Sequence, residues 1–421
     1  MSGDHRGGIA VNAGDVKKAV KAREREIVSF LSKVLQTPSV TGYEAAVAEV
    51  IVREIEGIGL RPRIEEAEKG RPNVLAEWEG PPGPRFVFNG HMDVFPPPAG
   101  AEEEYDGPWS GRVEGGWIFG SGANDMKAGL CGSIMAVRVL KEMGFVPKGS
   151  VLLTCTCDEE NGGWLGVKHL LGKGLIKGDL GLNMEPTSLK LLLDHSGIFR
   201  ARFIIEGKGA HASNPSEGID ALEKSIGVIQ GLYELGKRLE KRSIPGWGSP
   251  TLNVTTLHAG TATNVIADRS TFSIDRRLVP GESHDEAEAE IMAVLEEQRK
   301  KDPDLRFVRE IISDRPALEI PPDSAIVKAI EKGFKDLQGK PLERMKARFG
   351  SDAADIVKNT GMPMPILGPG NEDEATSVSE KLSIEEYLAA VEIYALTVAR
   401  LLSTRAGSDP HGSSPRASST T

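Results

Sequence analysis

The feature that most constrains the fold of this chain is a single change in the order of its segments, near Ser196. Before it, apolar runs of strand length alternate with helical patterns: Arg85–Asn89, Met126–Met143, Val151–Cys157, Val167–Leu171 and Leu180–Met184. Such alternation builds an α/β layer on a mainly parallel sheet. After Ser196 the periodicity predicts strand 197–206, helix 219–242, strands 251–258 and 269–277, helix 283–300 and strand 305–313. That β-α-β-β-α-β order is the ferredoxin-like unit, here inserted as a second domain. Past the Pro-rich stretch 316–322, a helix over 323–337 and a strand near Pro363–Leu367 return the chain to the first domain. The expected limits are 15–195 with 317–402 for the first domain and 196–316 for the insert. Residues 1–14 and 403–421, the latter rich in Ser, Pro and Gly, are expected to be disordered tails.

The 421 residues, 39% hydrophobic, suffice for two cores. Net charge is −10 with signs mixed throughout, and no basic block rises above a solvated face, which argues against nucleic acid and for a small-molecule or peptide substrate. No run approaches the roughly 20 apolar residues that span a bilayer. Met1–Gly14 lacks an apolar signal core, so no membrane is expected and the expected location is cytoplasmic. Three cysteines, an odd count, suit a reducing compartment. Besides Cys131, the pair Cys155 and Cys157 alternate along a predicted strand, and these two are read as buried core thiols rather than metal ligands.

The chemistry lies in a spaced series: His91-Met92-Asp93, then Asp125, then Asp158-Glu159-Glu160, then Glu185. In an open α/β sheet, sites form where loops converge at the carboxyl ends of strands. His91, Glu159, Glu160 and Glu185 each follow a predicted strand, and Asp125 opens a helix. A cluster of imidazole and carboxylates suits zinc. Asp93, two residues past His91, is placed to accept a hydrogen bond from the imidazole nitrogen that faces away from a metal. Neighbouring Glu159 and Glu160 point in different directions, so one can bind metal while the other takes a proton from activated water. Each piece alone is ordinary, since His-x-Asp arises by chance and Asp-Glu-Glu is often a solvated charge run. Four segments meeting at strand and helix ends are a different matter.

With these residues in view, the chain resembles the zinc aminoacylases, acetylornithine deacetylases, succinyl-diaminopimelate desuccinylases and glutamate carboxypeptidases, which share one co-catalytic metallopeptidase fold. The resemblance covers Ala22 to Leu402. It rests on Pro38-Ser39-Val40, Gly42-Tyr43-Glu44, Asn89-Gly90-His91-Met92-Asp93, Gly120 to Lys127, Asp158-Glu159-Glu160 and Met184-Glu185-Pro186. Further matches are Gly209-Ala210-His211-Ala212-Ser213, Thr263-Asn264-Val265-Ile266, Asp275-Arg276-Arg277 and Gly368-Pro369-Gly370. The resemblance implies that His91 and Glu185 hold one metal, Glu160 holds a second and Asp125 bridges them, with Glu159 as general base. One or two zinc ions are implied, with cobalt or manganese as alternatives. The insert would be a lid and dimerisation surface, making a homodimer. His211 would reach the neighbouring subunit's site to stabilise an oxyanion, Asn264 and Arg277 would line the substrate pocket, and Gly370 would fall on its substrate side.

One position departs from that pattern. Where relatives carry a last histidine ligand, Ala375-Thr376-Ser377 places Thr376, and a neutral hydroxyl is a poor zinc ligand. Glu372, Asp373 or Glu374 from the same loop, or the more distant His195, are the candidate replacements. The stretch Gly350 to Ala354 also lacks the arginine that often follows its aspartate in relatives. The expected activity is metal-dependent hydrolysis of an amide bond in an N-acyl amino acid or small peptide. The rival from another class is a non-catalytic relative that binds a small ligand or a single metal through the same fold.

Overall fold

The computed structural model describes residues 9–103, 106–375, 377 and 379–403. Its main sheet runs in the order Pro62–Glu66, Pro72–Glu79, Ser150–Thr156, Arg85–His91, Leu180–Asn183. Arg85–His91 is parallel to both of its neighbours, whereas Pro62–Glu66 and Pro72–Glu79, at one side of the sheet, pair antiparallel. Beyond Leu180–Asn183 the sheet continues through Ile366 to Leu191–His195, which pairs with Leu318–Glu319 and Arg344–Ala347. It is therefore parallel in the centre, where loops at the strand ends can converge, and mixed towards the edges. Residues 363–367 give only the bridges of Ile366 instead of the expected strand. Pro363 and Pro365 have no N–H to donate, so their carbonyls accept from Gly181 and Asn183 while half the ladder is missing.

The central strand is apolar on both faces, and Phe86, Val87 and Phe88 are fully buried. Helices cover it, the apolar Lys127–Glu142 packing against Ile384–Leu401 and Glu24–Leu35. The first described helix, Ala13–Ala22, begins inside the stretch 1–14 expected to be a disordered tail. Asn12 accepts from the Asp15 N–H as its cap, and Val16 and Val20 are buried beneath it. Residues 1–8 and 404–421, most of the two expected tails, lie outside the described residues.

The second sheet runs Thr251–Ala259, Arg269–Leu278, Gly197–Glu206, Arg306–Arg315, with every pairing antiparallel. Helices Ala221–Leu239 and His284–Lys301 pack together and complete the β-α-β-β-α-β order. Strict alternation in Gly197–Glu206 turns Phe199, Ala201, Phe203 and Ile205 inward. Phe203 stacks on Phe272 at 5.2 Å between centroids, in a core separate from that of the main sheet. The chain leaves the main sheet between His195 and Gly197 and returns between Arg315 and Leu318. Among the described residues no helix is long and apolar enough to cross a membrane.

Candidate metal centre

His91 ends the strand Arg85–His91, Glu185 lies just past Leu180–Asn183, and Asp125 precedes the helix Lys127–Glu142. One ligand atom from each of these three lies within 4.8 Å of the other two. His91 Nε2 is 3.1 Å from Asp125 Oδ1 and 3.7 Å from Glu185 Oε2. On the other side of the ring, Nδ1 is 2.8 Å from the Asp93 carbonyl oxygen. A carbonyl only accepts, so Nδ1 carries a proton, and Nε2 is the nitrogen that faces the two carboxylates. Burial opposes a charge on His91, yet Glu185 and Asp125 together hold its pKa well above the usual range. A cation at this point would replace the proton that these carboxylates favour.

The ring is therefore oriented by the main chain of Asp93 and not, as expected, by its carboxylate, which stands 3.7 Å away. That carboxylate is buried and accepts instead from the N–H groups of Glu159 (3.1 Å) and Glu160 (3.2 Å) and from the Thr41 hydroxyl. Asp93 thus fixes the turn that carries both glutamates. Asp158 opens this turn in the left-handed region, φ 66°, a conformation that Asp tolerates better than most side chains. Arg71 holds it there, forked on Glu44 at 2.7 Å twice and reaching Asp158 at 3.1 Å.

Three glutamates converge with little to satisfy them. The Oε1 atoms of Glu159, Glu160 and Glu185 are buried and have no hydrogen-bond partner. Burial pushes the Glu159 carboxyl up to about 7 against the pull of Arg315 and His91, and pushes Glu160 and Glu185 well above the carboxylate range. Arg315 Nη2 lies 2.9 Å from Glu159 Oε1, but its N–H is directed at the Glu159 carbonyl, 2.6 Å away. The carboxylate receives the charge of the guanidinium without a hydrogen bond from it. Orphaned buried carboxylates beside an imidazole lone pair are the donor set of a divalent cation site.

A cavity of about 160 Å³ opens on this cluster, lined by Asp125, Glu159, Glu160, Glu185 and Glu372 and by Arg277 of the second sheet. Of the remaining residues singled out from sequence, His211 and Asn264 do not line it. They sit together on the insert, where Ala212 N donates to Asn264 O and the His211 ring meets the Ser213 hydroxyl at 2.7 Å. Gly370 packs on Asn124 instead of facing a substrate, since a Cβ there would come within 2.7 Å of Asn124 Oδ1 at φ 92°. His195 is no replacement ligand: Nδ1 donates to Ser196 O and Nε2 meets the Ser351 hydroxyl, both at 2.9 Å. Thr376 lies outside the described residues. Cys131, Cys155 and Cys157 are buried and unpaired, and burial pushes Cys155 up to about 12.

The profile of Peptidase family M20/M25/M40 matches residues 87–400 of the chain. The chain belongs to this family. It is 28% identical over 373 residues to an acetylornithine deacetylase of Aliivibrio fischeri, covering 85% of this chain and 94% of that one. Among solved structures, the dipeptidase Dug1p of Saccharomyces cerevisiae superposes with a TM-score of 0.74 at 17% identity, covering 94% and 100% of the two chains. The YXEP protein of Bacillus subtilis, described as a dinuclear metal-binding peptidase of the same family, gives 0.67 at 18% identity, with 91% and 99% covered.

Arg315 and Arg200 of this M20 chain escaped the sequence reading, and Glu380 was given no role in it. Arg315, 3% exposed at the end of the strand Arg306–Arg315, also binds Asp352 (3.1 Å) and Asp355 (3.3 Å) at the start of the helix Asp352–Thr360. Arg200 lines the cavity and shares the Asp275 carboxylate with Arg277, each at 2.7 Å. Glu380 accepts from the N–H groups of Gly122 and Asn124, at 2.9 and 2.7 Å, and so holds the turn that delivers Asp125. Of the three, only Glu380 had a signal in the sequence: it stands four residues after Thr376, where the family that the chain resembles carries a glutamate four after its histidine.

Proposed function

We propose that this M20 chain is a metal-dependent hydrolase of amide bonds in N-acyl amino acids or small peptides. The observation that carries the reading is the group of buried Oε1 atoms without hydrogen-bond partners on Glu160 and Glu185, and on Glu159 where only the charge of Arg315 faces it, around Nε2 of His91 and the carboxylate of Asp125. His91, Asp125 and Glu185 would hold one cation, zinc by donor type and cobalt or manganese otherwise, and Glu160 extends the set towards a second. When bound, such an ion supplies Lewis acidity towards an amide carbonyl and makes water a nucleophile at neutral pH.

The chain's own groups do the rest. Burial keeps Glu159 near neutrality in proton affinity, so its carboxyl takes a proton from the attacking water and returns it to the leaving amine. Asp93 and Arg315 hold the Glu159 backbone from both sides during that exchange. Arg277 reaches into the cavity from the insert, suited to a substrate carboxylate. The names of the relatives, a deacetylase and peptidases, favour the same bond class. Their spread leaves the acyl group and side chain to a substrate panel of N-acetyl, N-succinyl, N-carbamoyl and dipeptide compounds.

Glu159→Gln tests the assignment. It should abolish turnover, a loss of roughly 100-fold or more for a proton-transfer residue, while metal content measured by mass spectrometry stays at the wild-type level. Metal lost in step with activity would make Glu159 a ligand and end this reading.

A further inference from the structure

The loop after Gly368 is bound on both sides to the segments that carry metal ligands. On one side, Asn371 N donates to Asn124 Oδ1 at 3.0 Å, and Gly370 is pressed against Asn124, the neighbour of Asp125. On the other, Ser188 N donates to Gly370 O at 2.6 Å, Leu189 N to Gly368 O, and Thr187 bridges Asn371, only two residues past Glu185. Ser188 and Leu189 adopt left-handed backbone, φ 51° and 55°, to make these bonds, a conformation that non-glycine residues take at some cost. The loop is thus positioned by the same two segments that deliver Asp125 and Glu185.

Its three acids then differ. All three are exposed, but Glu372 lines the cavity together with Asp125, Glu160 and Glu185, while Asp373 and Glu374 do not. The cavity also holds buried acceptors aimed into it without partners: Glu185, 4% exposed, and Glu160 at its Oε1 atom. A second ion bound by Glu160 and Asp125 alone would have two protein ligands, where a structural or catalytic site of this kind takes three or more.

We propose that Glu372 is the third protein ligand of a second divalent-cation position, with Glu160 and the bridging Asp125, in place of the histidine that Thr376 replaces. This rests on the metal-hydrolase reading of the same centre. An oxygen donor there gives an all-carboxylate second position beside a first that includes imidazole. Oxygen-only sites suit harder ions such as manganese or magnesium better than imidazole-bearing sites do. The two positions of this chain therefore differ in metal preference.

Equilibrium dialysis of the full chain against Zn²⁺ and, separately, Mn²⁺, with bound metal counted by mass spectrometry, tests the proposal without reference to turnover. The wild type should retain two ions per chain, and Glu372→Gln should retain one. The loss should weaken the second ion by more than the roughly 10- to 100-fold that an outer partner of a ligand is worth. Glu372→Asp should hold two ions with intermediate affinity, and Thr376→Val should still hold two. Because Glu372 is exposed, its substitution leaves the fold intact, which a thermal melt checks. One ion in the wild type, or two in Glu372→Gln, overturns the proposal while leaving the first position standing. No ion in the wild type overturns the metal-hydrolase reading as well.

Discussion

At the scale of single residues, the meeting of His91, Asp125 and Glu185 was legible because histidine and carboxylates at consecutive strand ends have few other reasons to be there. What the sequence could not convey was which atom of a residue does the work. Asp93 was read as the carboxylate partner of His91, but its carbonyl takes that role and its carboxylate holds Glu159 and Glu160. His195 illustrates the same difficulty, since a buried histidine near a site reads equally well as ligand or as core. Its two nitrogens are both satisfied in the neutral form, and burial lowers its pKa to about 4. The unfolded chain takes up that proton near pH 6.5 and the folded chain only near 4. Stability contributed by the neutral ring is therefore complete above about 6.5 and lost as pH falls towards 4, by roughly 3 kcal/mol. Denaturant unfolding at pH 7, 5 and 4 should show this loss in the wild type and a smaller one in His195→Asn, whose amide does not titrate. Parallel curves for the two proteins would rule out His195 as the source.

At the scale of elements, periodicity located the insert's strands and helices to within a few residues, because their alternating faces cover a core on one side only. It failed where backbone chemistry overrode pattern, as at 363–367, where two prolines leave carbonyls to pair but too few N–H groups for a strand. The helices Glu24–Leu35, Ala45–Gly57 and Ile384–Leu401 went unassigned, although each buries a clear apolar face. Arg315 was invisible for another reason. It ends a strand of the second sheet, yet its partner Asp352 lies 37 positions on, in a different element. Arg315→Met should leave the Glu159, Asp352 and Asp355 carboxylates buried together without a cation, costing about 3–5 kcal/mol at neutral pH. Asp355 already titrates up at about 6, mainly from burial, and loses its strongest counter-pull in the variant. Protonation on acidification then relieves the folded variant, so its deficit in melting temperature should shrink from pH 8 to pH 5. A deficit that is constant across that range would mean the guanidinium acts through packing alone.

At the scale of the whole molecule, the two cores are separate, and the edge strands Thr251–Ala259 and Arg306–Arg315 leave Leu257, Val308 and Ile311 exposed. Together with a His211 that is exposed and does not line its own chain's cavity, this motivates the proposal that two copies associate through the insert and share a site. Sedimentation should give a dimer. Mixing inactive His211→Ala and Glu159→Gln chains should restore part of the wild-type activity, through the site that combines an intact His211 with an intact Glu159. A fully active monomer, or no recovery after confirmed subunit exchange, would refute sharing.

The position of Arg315 also bears on how such enzymes can be recombined. A chimera that exchanges the insert of this chain for that of a relative would be cut at the junctions near residues 196 and 316. Cut there, the donor insert replaces Arg315 along with the rest of the unit, and the charge balance of Asp352, Asp355 and Glu159 then depends on what the donor carries at that position. Moving the second cut to before Arg315 keeps the four charges in one parental block.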